Sequence, residues 1–373
     1  MDFALTQEQQ DLKALAAKLF SDLTPADKLP SFEQPCDWHD ERLWKELASA
    51  QLLGVALRED VGGLGMGFAE LSALLEEAGR ACVPVALWPT LVLGAAAIEE
   101  FGTPDQRREL LPAVCEGELI LTAALVEEGA PDPLRPACRA RPDGDSWILS
   151  GTKSFVPAAR LAGRMLVSAD TCNGIGVFIL DPSEPGITLA AQATTTGENE
   201  YRVTLENVRA SDTAVLAQPA EGARVVEWIV ERAVAGLCAM EVGVAERALR
   251  MAAEYTSNRK QFGKAIATFQ AVAQRAADAY IDLEAVRLST AQAVWRIACG
   301  LPAKREVAIA KFWAAEGGHR VCYAAQHLHG GIGVDTDYAL HHFYLQSRRI
   351  ELTFGGAHTQ LAALGRMLAH DGA

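Results

Sequence analysis

No Cys-x-x-Cys pair occurs in this chain, although it carries Cys36, Cys82, Cys115, Cys138, Cys172, Cys238, Cys299 and Cys322. No His-x-x-x-His pattern accompanies them. A zinc site or disulfide framework is therefore not expected, and most of the cysteines read as small buried apolar residues. Positive charge is scarce: 34 Lys and Arg face 48 Asp and Glu, for a net charge of −14. A nucleic-acid surface needs basic stripes that displace phosphate counterions, so this balance argues against one. Long apolar runs are missing too. None approaches the roughly 20 residues of a membrane helix. The opening "MDFALTQEQQDLKALAAKLF" lacks a basic region followed by an apolar core, so no secretory signal is expected there. The expectation is a soluble, cytoplasmic protein with no membrane partner.

What is present is apolar mass. Half of the 373 residues are hydrophobic, enough for large cores and roughly two to three domains. The first third has helical spacing. Thr6 and Gln9 stand at capping-box spacing, and Leu12, Leu15, Leu19 and Phe20 then share a face. Near Gly117 the texture changes to short apolar or β-branched runs separated by Gly, Pro, Asp and Asn. "SWILSGTKSFVPAA", "GIGVFIL" and "YRVTLENVRA" are examples, and they predict an all-β module of about 100 residues. From about Ala220 the chain is helical again. Phe269, Val272, Ala276, Tyr280, Leu283, Val286, Val294 and Ile297 mark a broad apolar face there. The alanine-rich helices favour close packing into a bundle. The expected fold is α+β and multi-domain. It has an N-terminal helical domain (1–116), a middle β-barrel or sandwich (117–219) and a C-terminal four-helix bundle (220–373).

Four glycine-bearing segments invite a functional reading. "GGLGMG" (62–67) superficially matches a dinucleotide fingerprint, but no strand feeds it, so a loop between helices is expected. "NRKQFGKAIATFQ" (258–270) gathers Arg259, Lys260 and Lys264 where Gly263 breaks one helical period and another begins. A helix start and an arginine fork suit phosphate; a solvated basic junction is the other reading. "HLHGGIG" (327–333) has more glycine than a turn between helices requires. "TFGGAHTQ" (353–360) places Gly355 and Gly356 between two helical stretches, as a cap or as a close approach to a ligand.

Taken together, "RKQFGKAIATFQ", "HLHGGIGVDTDYALHHFY" and "FGGAHTQ", in this order and spacing, resemble the C-terminal domain of acyl-CoA dehydrogenases. "LREDVGGLGMGFAELSALLEEAGR" is similar to their first helical domain. The resemblance spans essentially the whole chain. It implies an FAD flavoprotein oxidoreductase that desaturates acyl-CoA thioesters and passes electrons to a transfer partner. It also implies an oligomer, because the family builds each FAD site from two subunits. By resemblance, Arg259, Gln261, Phe262, Phe269 and Gln270 reach a neighbour's FAD. His327, Gly330 and Gly331 lie along its adenosine–pyrophosphate part. Val126 and Phe155 meet the flavin ring. Pro157 stands where a hydroxyl residue is usual, and "GAPDPL" replaces a Gly-rich, Ser-containing turn.

The chemistry needs a general base for the α-proton and donors for the thioester carbonyl. Many family members carry glutamate where this chain has Gly355. Others place it on an earlier helix, where Glu231 is the nearest carboxylate. Counting back from Arg259 without a gap gives Ala233 instead, and two residues turn a helix by about 200°. Glu231 is thus a candidate base or an ion-paired helix residue, and Glu241 and Glu254 are weaker candidates. Gly355 keeps a backbone N–H that, in the family, helps polarise the thioester. Three readings follow. The first is a dehydrogenase for a bulky or unusual acyl-CoA. The second is a base-lacking subunit of a hetero-oligomer, similar to those acting on sterol side chains or dicarboxylic acyl-CoAs. The third is a non-catalytic binding protein that has kept the fold.

Overall fold

The computed structural model describes residues 3–25, 29, 38–130, 132–198 and 200–371. Cys36 lies outside them, as does Pro131 in "GAPDPL". The described helices are α1 (Gln7–Leu23), α2 (Glu41–Ser49), α3 (Phe68–Ala81), α4 (Ala96–Phe101), α5 (Pro104–Cys115), α6 (Gly222–Asn258), α7 (Gln270–Ala298), α8 (Lys304–His329), α9 (Leu340–Leu352) and α10 (Ala357–Asp371). The strands are β1 (Leu121–Ala124), β2 (Arg139–Pro142), β3 (Ser146–Pro157), β4 (Arg164–Thr171), β5 (Gly174–Leu180), β6 (Ile187–Gln192), β7 (Glu200–Ser211), β8 (Val215–Ala217), β9 (Lys260–Gln261) and β10 (Lys264–Ala265). Along the chain, helices therefore precede and follow the strands, as the change of texture implied. No described helix is long and apolar enough to cross a membrane.

By contacts the chain divides into two compact units. One comprises Pro30–Gly67 and Pro84–Ala233; the other comprises Met1–Leu29, Phe68–Val83 and Val234–Ala373.

The first unit holds an eight-stranded sheet in the order β6-β7-β3-β2-β4-β5-β8, with β1 pairing parallel to β4. Alternation along β7 sends Tyr201, Val203 and Leu205 inward to join Leu149, Met165, Val167 and Phe178 in the core. The β3–β7 ladder loses register between Lys153 and Val156. A bulge of this kind bends a strand and re-aims a side chain, and Phe155 is the residue re-aimed.

The second unit is helical. The capping box forms as spaced: Gln9 N–H donates to Thr6 Oγ1 at 3.2 Å and Thr6 N–H to Gln9 Oε1 at 3.0 Å. The buried stripe of α1 is Leu12, Ala16 and Phe20, whereas Leu15 is exposed. An i, i+4, i+8 row takes the small Ala16 inward and leaves Leu15 about 100° off it. Tyr280 is also exposed, because the stripe of α7 runs through Ala279, Leu283, Val286, Thr290, Ala293 and Ile297. Helix α3 crosses α6 at glycines. A Cβ on Gly79 would lie 2.1 Å from Met240 O, and one on Gly243 would lie 1.9 Å from Glu76 O. Only glycine lets the backbones approach that closely.

The 258–270 segment differs from expectation. No helix restarts at Gly263. Strands β9 and β10 pair as a hairpin about Phe262 (φ 53°) and Gly263 (φ 78°), and α7 begins at Gln270. "GGLGMG" is a loop, and a Cβ at Gly63 would meet Leu57 O at 2.1 Å, so packing accounts for that glycine.

Candidate functional site

In the sheet unit, Val126 and Phe155 are brought together by the bulge. Ser154 N–H donates to Val126 O at 2.9 Å across the end of β1. Phe155 adopts a left-handed φ of 54° and is 54% exposed, the reverse of what an apolar strand residue does. Its N–H donates to Gln192 Oε1 of β6 at 2.6 Å. Pro157 O accepts from Thr122 Oγ1 at 2.6 Å, which ties the far end of β3 to β1. Beneath lies a buried ion pair, Lys153 Nζ to Glu127 Oε1, at 2.6 Å. The carboxylate also accepts from Ala137 N–H at 2.6 Å and Cys138 N–H at 3.0 Å. Ser168 Oγ takes a second ammonium bond at 3.2 Å. A buried pair holds best when its remaining valences are met, and here both carboxylate oxygens and two of the three ammonium N–H groups have named partners. The result is an exposed aromatic face on a fixed backbone, suited to packing against a planar ring.

Glu231 lies on the same unit's stretch of α6. The helix begins at Gly222 and runs unbroken to Asn258, so it does not start late. Ala233, two residues on, is buried, and its carbonyl accepts from Trp88 Nε1 at 3.0 Å. The Glu231 side chain is 22% exposed and sits 3.5 Å from Arg232 Nη1. Arg232 lies 3.7 Å over the Trp228 ring. Burial lowers its pKa to about 10, with Glu231 and Glu100 opposing that shift.

In the helical unit, Arg259 lines a cleft of about 520 Å³ with Arg247, Met251, Glu254, Tyr255, Asn258 and Tyr338. Tyr255 stacks on His329, with centroids 4.6 Å apart and planes at 24°. His329 Nε2 is 3.2 Å from Tyr338 Oη, and Nδ1 is 2.8 Å from Ala325 O. Burial lowers the His329 pKa, which favours the neutral ring. The cleft thus joins Arg259 to the end of α8, where His327 is exposed and its carbonyl accepts from Gly330 N–H. Gly330 has φ 65°, and a Cβ on Gly330 or Gly331 would meet nothing within 4 Å. The two guanidinium groups of the cleft and, at the end of α8, an open glycine backbone each suit phosphate oxygens. Phe262 at the hairpin tip is 92% exposed, with its ring edge-on to Phe269 at 6.2 Å. Lys264 Nζ lies 4.4 Å from the Phe269 centroid, and Gln261 Nε2 bonds Lys260 O at 2.9 Å. Gln270 opens α7. No sequence signal singled out Arg247, Tyr255 or Gln192, while His329 and Tyr338 stand within the quoted 327–344 motif without an assigned role.

The "TFGG" segment is a turn between α9 and α10. Phe354 (φ 55°) and Gly355 (φ 91°) are both left-handed. Gly355 N–H donates to Leu352 O at 3.2 Å. Gln360 Nε2 reaches Phe354 O and Gly355 O, each at 3.2 Å. A Cβ at residue 355 would lie 2.7 Å from Thr359 Cγ2 and 2.9 Å from Thr359 Cβ. A carboxylate side chain therefore does not fit at 355 in this conformation. Glu241 is wholly buried, and Glu254 stands on the exposed rim of the cleft.

The known-protein comparisons agree with this anatomy. Residues 6–118 match the model for the acyl-CoA dehydrogenase N-terminal domain, and residues 220–369 that for the C-terminal domain. The chain is 35% identical to acyl-CoA dehydrogenase FadE27 of Mycobacterium tuberculosis over 99% of both chains. Among solved structures, a variant of the Tcur3481-Tcur3483 steroid ACAD is 43% identical, with TM-score 0.91, over 98% of this chain and 99% of that one. The ChsE4-ChsE5 complex from Mycobacterium tuberculosis is 36% identical, with TM-score 0.91, over 99% of each. The chain order of helices, strands and helices and these matches together place the chain in the acyl-CoA dehydrogenase family.

Proposed function

We propose that this chain is a subunit of an acyl-CoA α,β-dehydrogenase that binds FAD and the thioester, with the proton acceptor located elsewhere than residue 355. The observation that carries this is Gly355, whose φ of 91° and 2.7 Å approach to Thr359 leave no place for a side chain. Members of this family bind FAD, which would supply the hydride acceptor for the acyl β-carbon. The residues present fit that group. In the sheet unit, Phe155 offers an exposed apolar face beside the half-buried Val126; in the helical unit, the Arg247–Arg259 cleft offers cationic donors, and Gly330 and Gly331 offer open backbone, to the FAD of a neighbouring subunit.

Each protein group then has a task. Arg259 and Arg247 neutralise phosphate charge, and the Gly330–Gly331 backbone lets it come close. Phe262 and Gln261 project from the hairpin toward a second subunit. The Gly355 N–H, now turned to Leu352 O, is the donor for the thioester carbonyl once substrate competes for it. The two solved relatives, described as a steroid ACAD and as a ChsE4-ChsE5 complex, support a bulky substrate and a paired second chain.

The test is to purify this chain alone and with a second dehydrogenase-like chain carrying an intact glutamate. Flavin absorbance and its bleaching by acyl-CoA thioesters are then measured. Flavin bound by the pair, with turnover unaffected by Glu231→Gln in this chain, is the expected result. Loss of turnover in Glu231→Gln would make this chain its own catalyst. Absence of flavin from both preparations would remove the reading altogether.

A further inference from the structure

A buried cation holds the end of α9. Lys311, within α8, is fully buried. Its ammonium donates to the Ile350 carbonyl and, at 3.1 Å, to the Glu351 carbonyl. These carbonyls belong to the last turn of a helix, where intrahelical partners run out and a cation is favoured. Three residues further on, the chain enters the left-handed pair Phe354–Gly355.

The surroundings are polar and closed. Glu241 accepts from Ser347 Oγ at 2.7 Å, and its Oε2 has no hydrogen-bond partner among the described residues. A Cβ on Gly318 would lie 2.2 Å from Glu241 Oε1, so that glycine makes room for the carboxyl. The groups acting on Lys311 are Cys238 and Glu241 from α6, and Glu351 and Arg349 from α9. Burial lowers the lysine to about 8 and raises Glu241 to about 8. An exposed helix end could be capped by water. A desolvated ammonium is costly, and it is spent here on two carbonyls next to a strained turn.

We propose that Lys311 is a positioning residue that sets the Thr353–Gly356 backbone by holding the Ile350 and Glu351 carbonyls. That this backbone faces the thioester rests on the proposed function; the clamp itself does not.

Hydrogen–deuterium exchange on the full chain in its purified assembly tests the clamp. Lys311→Met should speed exchange in peptides spanning residues 352–357 about ten-fold, with α7 peptides and flavin content unchanged. Lys311→Arg, which keeps a charged donor, should return exchange to within about two-fold of wild type. If Lys311→Met fails to fold, Lys311→Gln is read in the same way. Unchanged exchange at 352–357, or an equal rise in α7, would overturn the proposal. A flavin-free preparation would sink the functional reading but leave this result standing.

Discussion

Lys153 Nζ and Glu127 Oε1 meet at 2.6 Å inside the sheet unit, one residue away from Val126 and two from Phe155. Removing one member of a buried, hydrogen-bonded pair strands the other, at a cost of about 3–5 kcal/mol. Glu127→Gln should lose stability on that order in urea unfolding. The paired change Glu127→Gln with Lys153→Met should cost less than Glu127→Gln alone. A larger loss in the double variant would mean that the pair does not act as a unit.

Phe155 carries backbone strain that glycine would relieve. Phe155→Gly should hold or raise the melting temperature, by up to about 1 kcal/mol of stability, since φ 54° is open to glycine. The same variant loses the exposed ring and should retain less flavin on gel filtration. Full flavin retention would show that the aromatic face is dispensable.

Restoring a glutamate at residue 355 should not restore a base. Gly355→Glu meets Thr359 Cγ2 at 2.7 Å in a backbone conformation suited to glycine. A destabilisation of about 1–3 kcal/mol is expected from strain at such a site. Turnover by the isolated chain after this single change would contradict the proposed division of labour.

Acid sensitivity should centre on Glu246. Arg80 Nη1 lies 2.6 Å from it and Arg287 Nη2 3.0 Å. Burial would raise its pKa, but hydrogen bonds and charge from Arg80 and Arg287 outweigh this and bring it to about 2, from an ordinary 4.5. The folded value lies below the unfolded one. The contribution is therefore complete above pH 4.5 and is lost as pH falls toward 2. It amounts to about 2–3 kcal/mol after allowing for partial solvent screening. Urea unfolding from pH 7 to 3 should show this slope, and Glu246→Gln should flatten it.

Much of the architecture was legible because it rests on periodicity. The Thr6–Gln9 box, the change to strands after Gly117 and the long helices after Ala220 follow from local spacing. Tyr280 and Leu15 broke the expected faces because small residues, Ala279 and Ala16, took the inward positions. The β9–β10 hairpin was illegible, since two-residue strands carry no period. The site was half legible. Arg259, Gly330 and Gly355 stood out by composition, but Gln192 reaches Phe155 from 37 residues away. Arg247 and Tyr338 enter Arg259's cleft only through folding.

The turn at Gly355 is also a question of handedness. At φ 91° an L-residue directs its Cβ onto Thr359, whereas a D-residue favours positive φ and replaces the opposite hydrogen. A semisynthetic chain with D-alanine at 355 should therefore melt above one with L-alanine, although the two share every atom. The position selects mirror image rather than size.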